Sequence, residues 1–209
     1  MLLVGMLDSP YVRRVAISLQ LLGLPFTHRS LSVFRTFDAF REINPVVKAP
    51  TLVCNDGIVL MDSTLILDYA EALAAPRRSL MPADTAGRRN ALRRIGLALA
   101  ACEKAVQLIY ERTLRPEDKR HVPWIERVTG QLRAACGELE AELRKRPENA
   151  SAQSIGQAGI TIAVTWHFMQ QTVSQLVREA DYPALALLSA HAEQLPAFVA
   201  APHGAGTFR

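Results

Sequence analysis

The chain has 209 residues, 49% of them hydrophobic, and a formal net charge of +4. That is enough apolar material for one large core or two small ones, and it excludes a disordered chain. No run of about 18 uninterrupted apolar residues is present, so no membrane span is expected. Met1-Leu2-Leu3-Val4-Gly5 is too short for the apolar core of a signal peptide, which makes the cytoplasm the expected compartment.

The three cysteines, Cys54, Cys102 and Cys136, have no C-x-x-C spacing. They support neither a dithiol motif nor a zinc ribbon and read as buried free thiols. The five histidines show no metal-ligand spacing, and no metal is expected. The arginines fall in scattered pairs (Arg13-Arg14, Arg77-Arg78, Arg88-Arg89, Arg93-Arg94) without interleaved aromatic residues. They read as solvated helix faces rather than a nucleic-acid surface, and a mild positive field favours a small anionic substrate.

In chain order, Leu2-Leu3-Val4 is a short strand and Ser9-Pro10 a helix start. The Ser9 hydroxyl can accept from a free N–H of the first turn, and Pro10 fits the first helical position. A strand ending at a helix N-terminus suits an anion. The helix runs to about Leu22, with Gly23 at its C-cap position. Pro25–Leu31 is a second strand, and the resulting βαβ unit implies that the two strands are parallel. Residues 32–47 are irregular, with a short helix around Thr36–Glu42. The apolar runs on either side of Asn55-Asp56-Gly57 form a hairpin. Pro50 precedes its first strand, and a cis bond there would leave the Ala49 backbone free for a ligand. Ser63 is the N-cap candidate of the next helix, Thr64–Leu73, and Asp62 places negative charge at its start.

Residues 74–87 read as a linker, and everything after them is helical in pattern. Helices are expected from Arg88 to about Leu114, from Pro123 to about Lys145 and from Ser154 to about Val177. A further helix runs from Pro183 to about Gln194, followed by a short turn over Pro196–Ala201. Glu148–Gln153 is a polar loop. Ser154 and Gln157 have capping-box spacing, and the helix they open is the most apolar of this half. Trp166, Tyr110 and His167 read as ordinary core, and the tail from His203 to Gly206 as loose. The expected domains are therefore 1–77, α/β in class, and 88–209, all-helical.

Three stretches, Ser9-Pro10-Tyr11-Val12-Arg13-Arg14, Asn44 to Leu52 with Lys48-Ala49-Pro50, and Asp62-Ser63, resemble in order and spacing the N-terminal signatures of cytosolic glutathione S-transferases. The resemblance is specific in the N-terminal part and diffuse after it. It implies a thioredoxin-like N-terminal domain (βαβ-ββα) with a cis-proline, an all-helical C-terminal domain and a homodimer, in a detoxifying enzyme. It further implies glutathione as co-substrate and a small, hydrophobic electrophile as second substrate. Carried over, Ser9 is the catalytic residue at the glutathione sulfur. Ala49, before Pro50, bonds the backbone of glutathione's cysteine; Asp62 and Ser63 hold the γ-glutamyl end; Lys48 contacts the glycine carboxylate.

Two positions depart from the pattern. Val47 stands where the family has glycine, and Gln157 where its helical-domain capping motif has aspartate. Ser9 cannot form a mixed disulfide, which argues against the thiol-transferase and reductase branches. A non-catalytic binding module of the same fold and a glutathione-dependent isomerase or dehalogenase stay open as alternatives.

Overall fold

The structure is a computed structural model that describes residues 1–151 and 154–208. The expected loop Glu148–Gln153 thus falls partly outside the described residues. Contacts divide the chain into two compact units. One joins Met1–Leu80 with the segment from Gln194 on, and the other is Met81–Glu193.

The first unit is built on β1 (Leu2–Val4), α1 (Pro10–Leu21), β2 (Thr27–Arg29), α2 (Phe37–Arg41), β3 (Thr51–Val53), β4 (Val59–Met61) and α3 (Ser63–Ala74). The sheet order is β2-β1-β3-β4. β1 runs parallel to β2, and β3 is antiparallel to both β1 and β4. This is the thioredoxin-like βαβ-ββα arrangement. The central strands carry the buried Leu3, Val4 and Leu52, while β2 and β4 are edge strands with exposed residues. α1 packs against α3, so Val12, Val15, Ala16, Leu19, Ile66 and Ala70 close the core.

Local chemistry explains the boundaries. α1 ends in a Schellman motif: Leu24 N donates to the Leu19 carbonyl at 3.0 Å and Gly23 N to the Gln20 carbonyl at 2.9 Å. Gly23 takes φ 72° to do so. In the hairpin Gly57 takes φ 87°, and Asp56 Oδ1 accepts from Ile58 N at 3.1 Å.

Residues from Gln194 belong to the first unit, although the sequence pattern groups them with the helices before them. The cause is Arg13, which is 1% exposed. Its Nε donates to the Ala201 carbonyl at 2.7 Å, and its guanidinium lies 5.7 Å from the centre of the buried Phe198 ring, on α8 (Pro196–Val199). The tail is held too. Ser30 Oγ donates to the Ala205 carbonyl at 2.8 Å, and the Phe26 and Phe208 rings lie 4.7 Å apart. It is not the loose end that its glycines suggest.

The second unit consists of α4 (Thr85–Thr113), α5 (Val122–Lys145), α6 (Gln157–Thr172) and α7 (Pro183–Glu193). α4 packs on α5 and α6, and α7 on α5 and α6. α6 is buried over most of its length, as its composition predicts. It starts later and ends earlier than expected. Gly156 is its N-cap and Gln157 its first residue, so no capping box forms; Ser154 Oγ instead pairs with Ser151 Oγ at 2.6 Å. α4 begins at Thr85 rather than Arg88, because Asp84 caps it.

Trp166 is core, edge-on to Tyr182 at 5.7 Å. Tyr110 is 43% exposed and is not core. His167 sits at the margin, 3.5 Å from Glu193. All three cysteines are buried thiols outside any disulfide, and burial pushes the Cys136 thiol up to about 12. Among the described residues no helix is long and apolar enough to cross a membrane, and no group of side chains could hold a metal ion.

Candidate functional site

Strand register assembles the candidate residues. Val4 pairs with Thr51 across β1 and β3, and Thr51 with Met61 across β3 and β4. The C-terminal end of β1, the N-terminal end of β3 and the C-terminal end of β4 therefore share one end of the sheet. Ser9 follows the first of these, Ala49-Pro50 precedes the second, and Asp62-Ser63 follows the third. Three stretches far apart in sequence meet there because the sheet aligns their neighbours.

Gly5 lets them approach. A Cβ there would lie 2.6 Å from Val12 Cγ2 and 3.1 Å from Ala49 Cβ, and its φ of 137° strains any other residue. The Ala49–Pro50 bond is cis, as is Ala75–Pro76. Pro50 is buried and Ala49 half-buried.

The loop before Pro50 is fixed by Asn44, which is 3% exposed. Its Nδ2 donates to Thr51 Oγ1 at 2.9 Å, and Thr51 Oγ1 donates to the Lys48 carbonyl at 2.7 Å. The Lys48 side chain is exposed. Val47 takes φ 52°, a left-handed conformation that glycine adopts freely and a β-branched residue rarely does.

Ser9 is the N-cap of α1, but a weak one. Its Oγ accepts from Val12 N at 3.4 Å, beyond the usual range of about 2.7–3.2 Å. The hydroxyl proton is not used in that contact. At α3 the roles differ from expectation. Asp62 is the cap, accepting from Thr64 N at 2.8 Å with φ 71°. Ser63 is the first helical residue, 4% exposed, and its Oγ accepts from Arg14 Nη1 at 3.2 Å. A carboxylate reaches the first-turn N–H better than the shorter hydroxyl and suits the positive helix end.

Sequence reasoning missed Arg14 and Asn44. Arg14 was grouped with solvated arginines, yet Arg13 and Arg14 are both buried. The available signal was position: on a helix apolar on more than one face, neither residue has a polar side left to occupy. Asn44 enters the sequence reading only as the start of the second matched stretch, with no role of its own.

His28 on β2 supports the same loop. Its Nε2 donates to the Gly5 carbonyl at 2.7 Å, and its Nδ1 accepts from Phe208 N at 2.9 Å. A carbonyl only accepts and an amide N–H only donates, so the ring is held neutral in one tautomer. Burial lowers its pKa from the ordinary value of 6.5, opposed by the bond to Gly5.

Residues 3–78 match the family described as glutathione S-transferase, N-terminal domain. A crystal structure of a glutathione transferase family member from Pseudomonas fluorescens, with bound S-(propanoic acid)-glutathione, is 28% identical with a TM-score of 0.79. That likeness covers 96% of this chain and 98% of the other. A glutathione S-transferase from Methylobacterium radiotolerans, in complex with glutathione sulfonate, is 28% identical with a TM-score of 0.85, over 95% and 92% of the two chains. Among curated proteins, the uncharacterised GST-like protein YibF of Escherichia coli is 33% identical over 85 residues, 40% of this chain. Glutathione S-transferase U1 of Arabidopsis thaliana is 39% identical over 70 residues, 33% of this chain. These matches span only 41% and 31% of the curated relatives' own lengths.

Proposed function

We propose, for a chain that belongs to the cytosolic glutathione S-transferase family, that it binds glutathione where β1, β3 and β4 end together and conjugates its thiolate to a small, hydrophobic electrophile. Ser9 faces the sulfur. Ala49 beside Pro50 bonds the cysteine backbone, Asp62 and Ser63 hold the γ-glutamyl end, and Lys48 meets the glycine carboxylate. Relatives of similar fold are seen with glutathione or its derivatives bound, which supports this choice of ligand.

The observation that carries the reading is the loose cap at Ser9. A free thiol with pKa near 8.5 is only a few per cent ionised at neutral pH. Lowering it by about two units needs roughly 2.7 kcal/mol of preference for the anion. A helix N-terminus supplies about 0.3–2 kcal/mol, and one hydrogen bond to the charged sulfur about 1.5–3 kcal/mol. Together these suffice without a basic side chain. Ser9 accepts weakly from Val12 N and has its proton to donate, so it can provide that bond at the start of α1.

The test is retention on immobilised glutathione together with turnover of a chlorodinitrobenzene and titration of the bound thiol. Binding with a depressed thiol pKa and turnover supports the proposal. Binding without turnover of any electrophile, unchanged by Ser9→Ala, would replace it with the non-catalytic reading.

A further inference from the structure

Arg14 is a buried charge beside the proposed site, and no role given to the site so far uses it. It is 3% exposed on α1 and reaches across to the start of α3. Its Nη1 donates to Ser63 Oγ at 3.2 Å and approaches Thr64 Oγ1 at 3.5 Å. A guanidinium has donors only. In this contact the Ser63 oxygen is therefore the acceptor, and its own proton must point elsewhere.

Ser63 is the first residue of α3, where backbone N–H groups have no partner within the helix. Asp62, the cap, is engaged by Thr64 N. Ser63 is thus left with an O–H and an N–H to donate, and a fixed cation stands behind its oxygen. Donors backed by positive charge at a helix start suit an anionic oxygen far better than a neutral one.

We propose that Arg14 is a positioning residue that orients the Ser63 hydroxyl as a donor to the α-carboxylate of the γ-glutamyl end. This rests on the glutathione reading and deepens it. Arg14 does not touch the ligand; it acts through Ser63 by fixing which way the proton faces and by strengthening that donor. A plain strut between α1 and α3 would explain the burial of Arg14, but it would make binding indifferent to the charge of the ligand group at Ser63.

The experiment is calorimetric titration with two ligands: glutathione, and glutathione with its γ-glutamyl α-carboxylate converted to the carboxamide. The proteins are wild type, Arg14→Met, Arg14→Lys, Ser63→Ala and the Arg14→Met/Ser63→Ala double variant, each checked by thermal melting. Arg14→Met should weaken glutathione about tenfold, the scale of one charge-assisted bond, and change carboxamide binding by less than about twofold. Ser63→Ala should show the same ligand dependence, Arg14→Lys a partial rescue, and the double variant no further loss.

Equal losses for both ligands in Arg14→Met, or additive losses in the double variant, overturn the proposal in favour of a strut. Should Arg14→Met not fold, Ser63→Ala and Arg14→Lys decide on the same criterion. Failure of the wild type to bind glutathione would instead sink the glutathione reading and this one with it, an outcome visible before any variant is compared.

Discussion

The helix starts at α4 and α7 in the helical unit are treated differently from that of α1 in the first unit. A carboxylate closes both of them. Asp84 accepts from Gly87 N at 2.7 Å at the start of α4. Glu140, from α5, accepts from Ala184 N and Leu185 N at 3.0 Å at the start of α7 and is itself held by Arg144 at 2.8 Å. In the first unit, α1 begins with a neutral serine 3.4 Å from the N–H it caps. A carboxylate cap satisfies the backbone and cancels the positive helix end, which stabilises the fold and uses up the site. A loose serine leaves both for a ligand. The contrast separates a helix start that serves stability from one available for chemistry.

Of four substitutions, the three at helix starts test this contrast and come in order of expected effect on stability. Glu140→Ala leaves two N–H groups without their acceptor, one of them in the buried Leu185. It should cost about 2–4 kcal/mol by urea denaturation, with glutathione affinity in the folded fraction unchanged. Asp84→Ala removes an exposed cap and should cost about 1 kcal/mol. Ser9→Ala should cost under about 0.5 kcal/mol, because the bond it removes is already long. It should raise the pKa of bound glutathione by about one unit or more while affinity stays within about tenfold. A stability loss as large as that of Asp84→Ala with an unchanged thiol would make Ser9 a cap and nothing else. Val47→Gly relieves a β-branched residue at φ 52° but frees the unfolded chain. The two effects oppose, so a net stabilisation of at most about 1 kcal/mol is expected in a thermal melt.

A pH series sharpens the comparison from another side. The folded pKa of His28 lies below its unfolded value of 6.5. The folded state therefore binds fewer protons, and this contribution is fully present above pH 6.5 and lost as pH falls towards the folded pKa. The melting temperature of the first unit should drop on going from neutral to mildly acid pH, and His28→Gln should flatten that dependence. No flattening would mean that other groups set it.

The fold was legible in sequence wherever a local rule decided the structure. Pro10, Gly23 and Asn55-Asp56-Gly57 act within a few residues, and each produced the boundary expected of it. The candidate site was legible only through a resemblance. Ser9, Ala49-Pro50 and Asp62-Ser63 come together by strand register, which no single stretch reveals. What escaped was tertiary. Arg13 and Arg14 look like any exposed charge pair until the acceptors at Ala201 and Ser63, far along the chain, are in place. The capping role at α3 turned on which of two adjacent residues has the geometry to accept, and α6 begins past the serine, at Gly156, with no side-chain cap; sequence spacing records neither.

The buried bond from Arg13 to the Ala201 carbonyl bears on biosynthesis. A domain emerging first from the ribosome ordinarily folds first, at about 5–20 residues per second of synthesis. Here the first unit takes in the chain from Gln194 on, whereas Met81–Glu193 is continuous. The helical unit, though translated later, has all its parts before the α/β unit does. Until Ala201 is made, Arg13 cannot form this buried bond. The α/β unit is thus started first and completed last, and the nascent protein must keep a complete sheet whose α1 still lacks its contacts with the segment from Gln194 out of aggregates for the duration of the helical unit's synthesis.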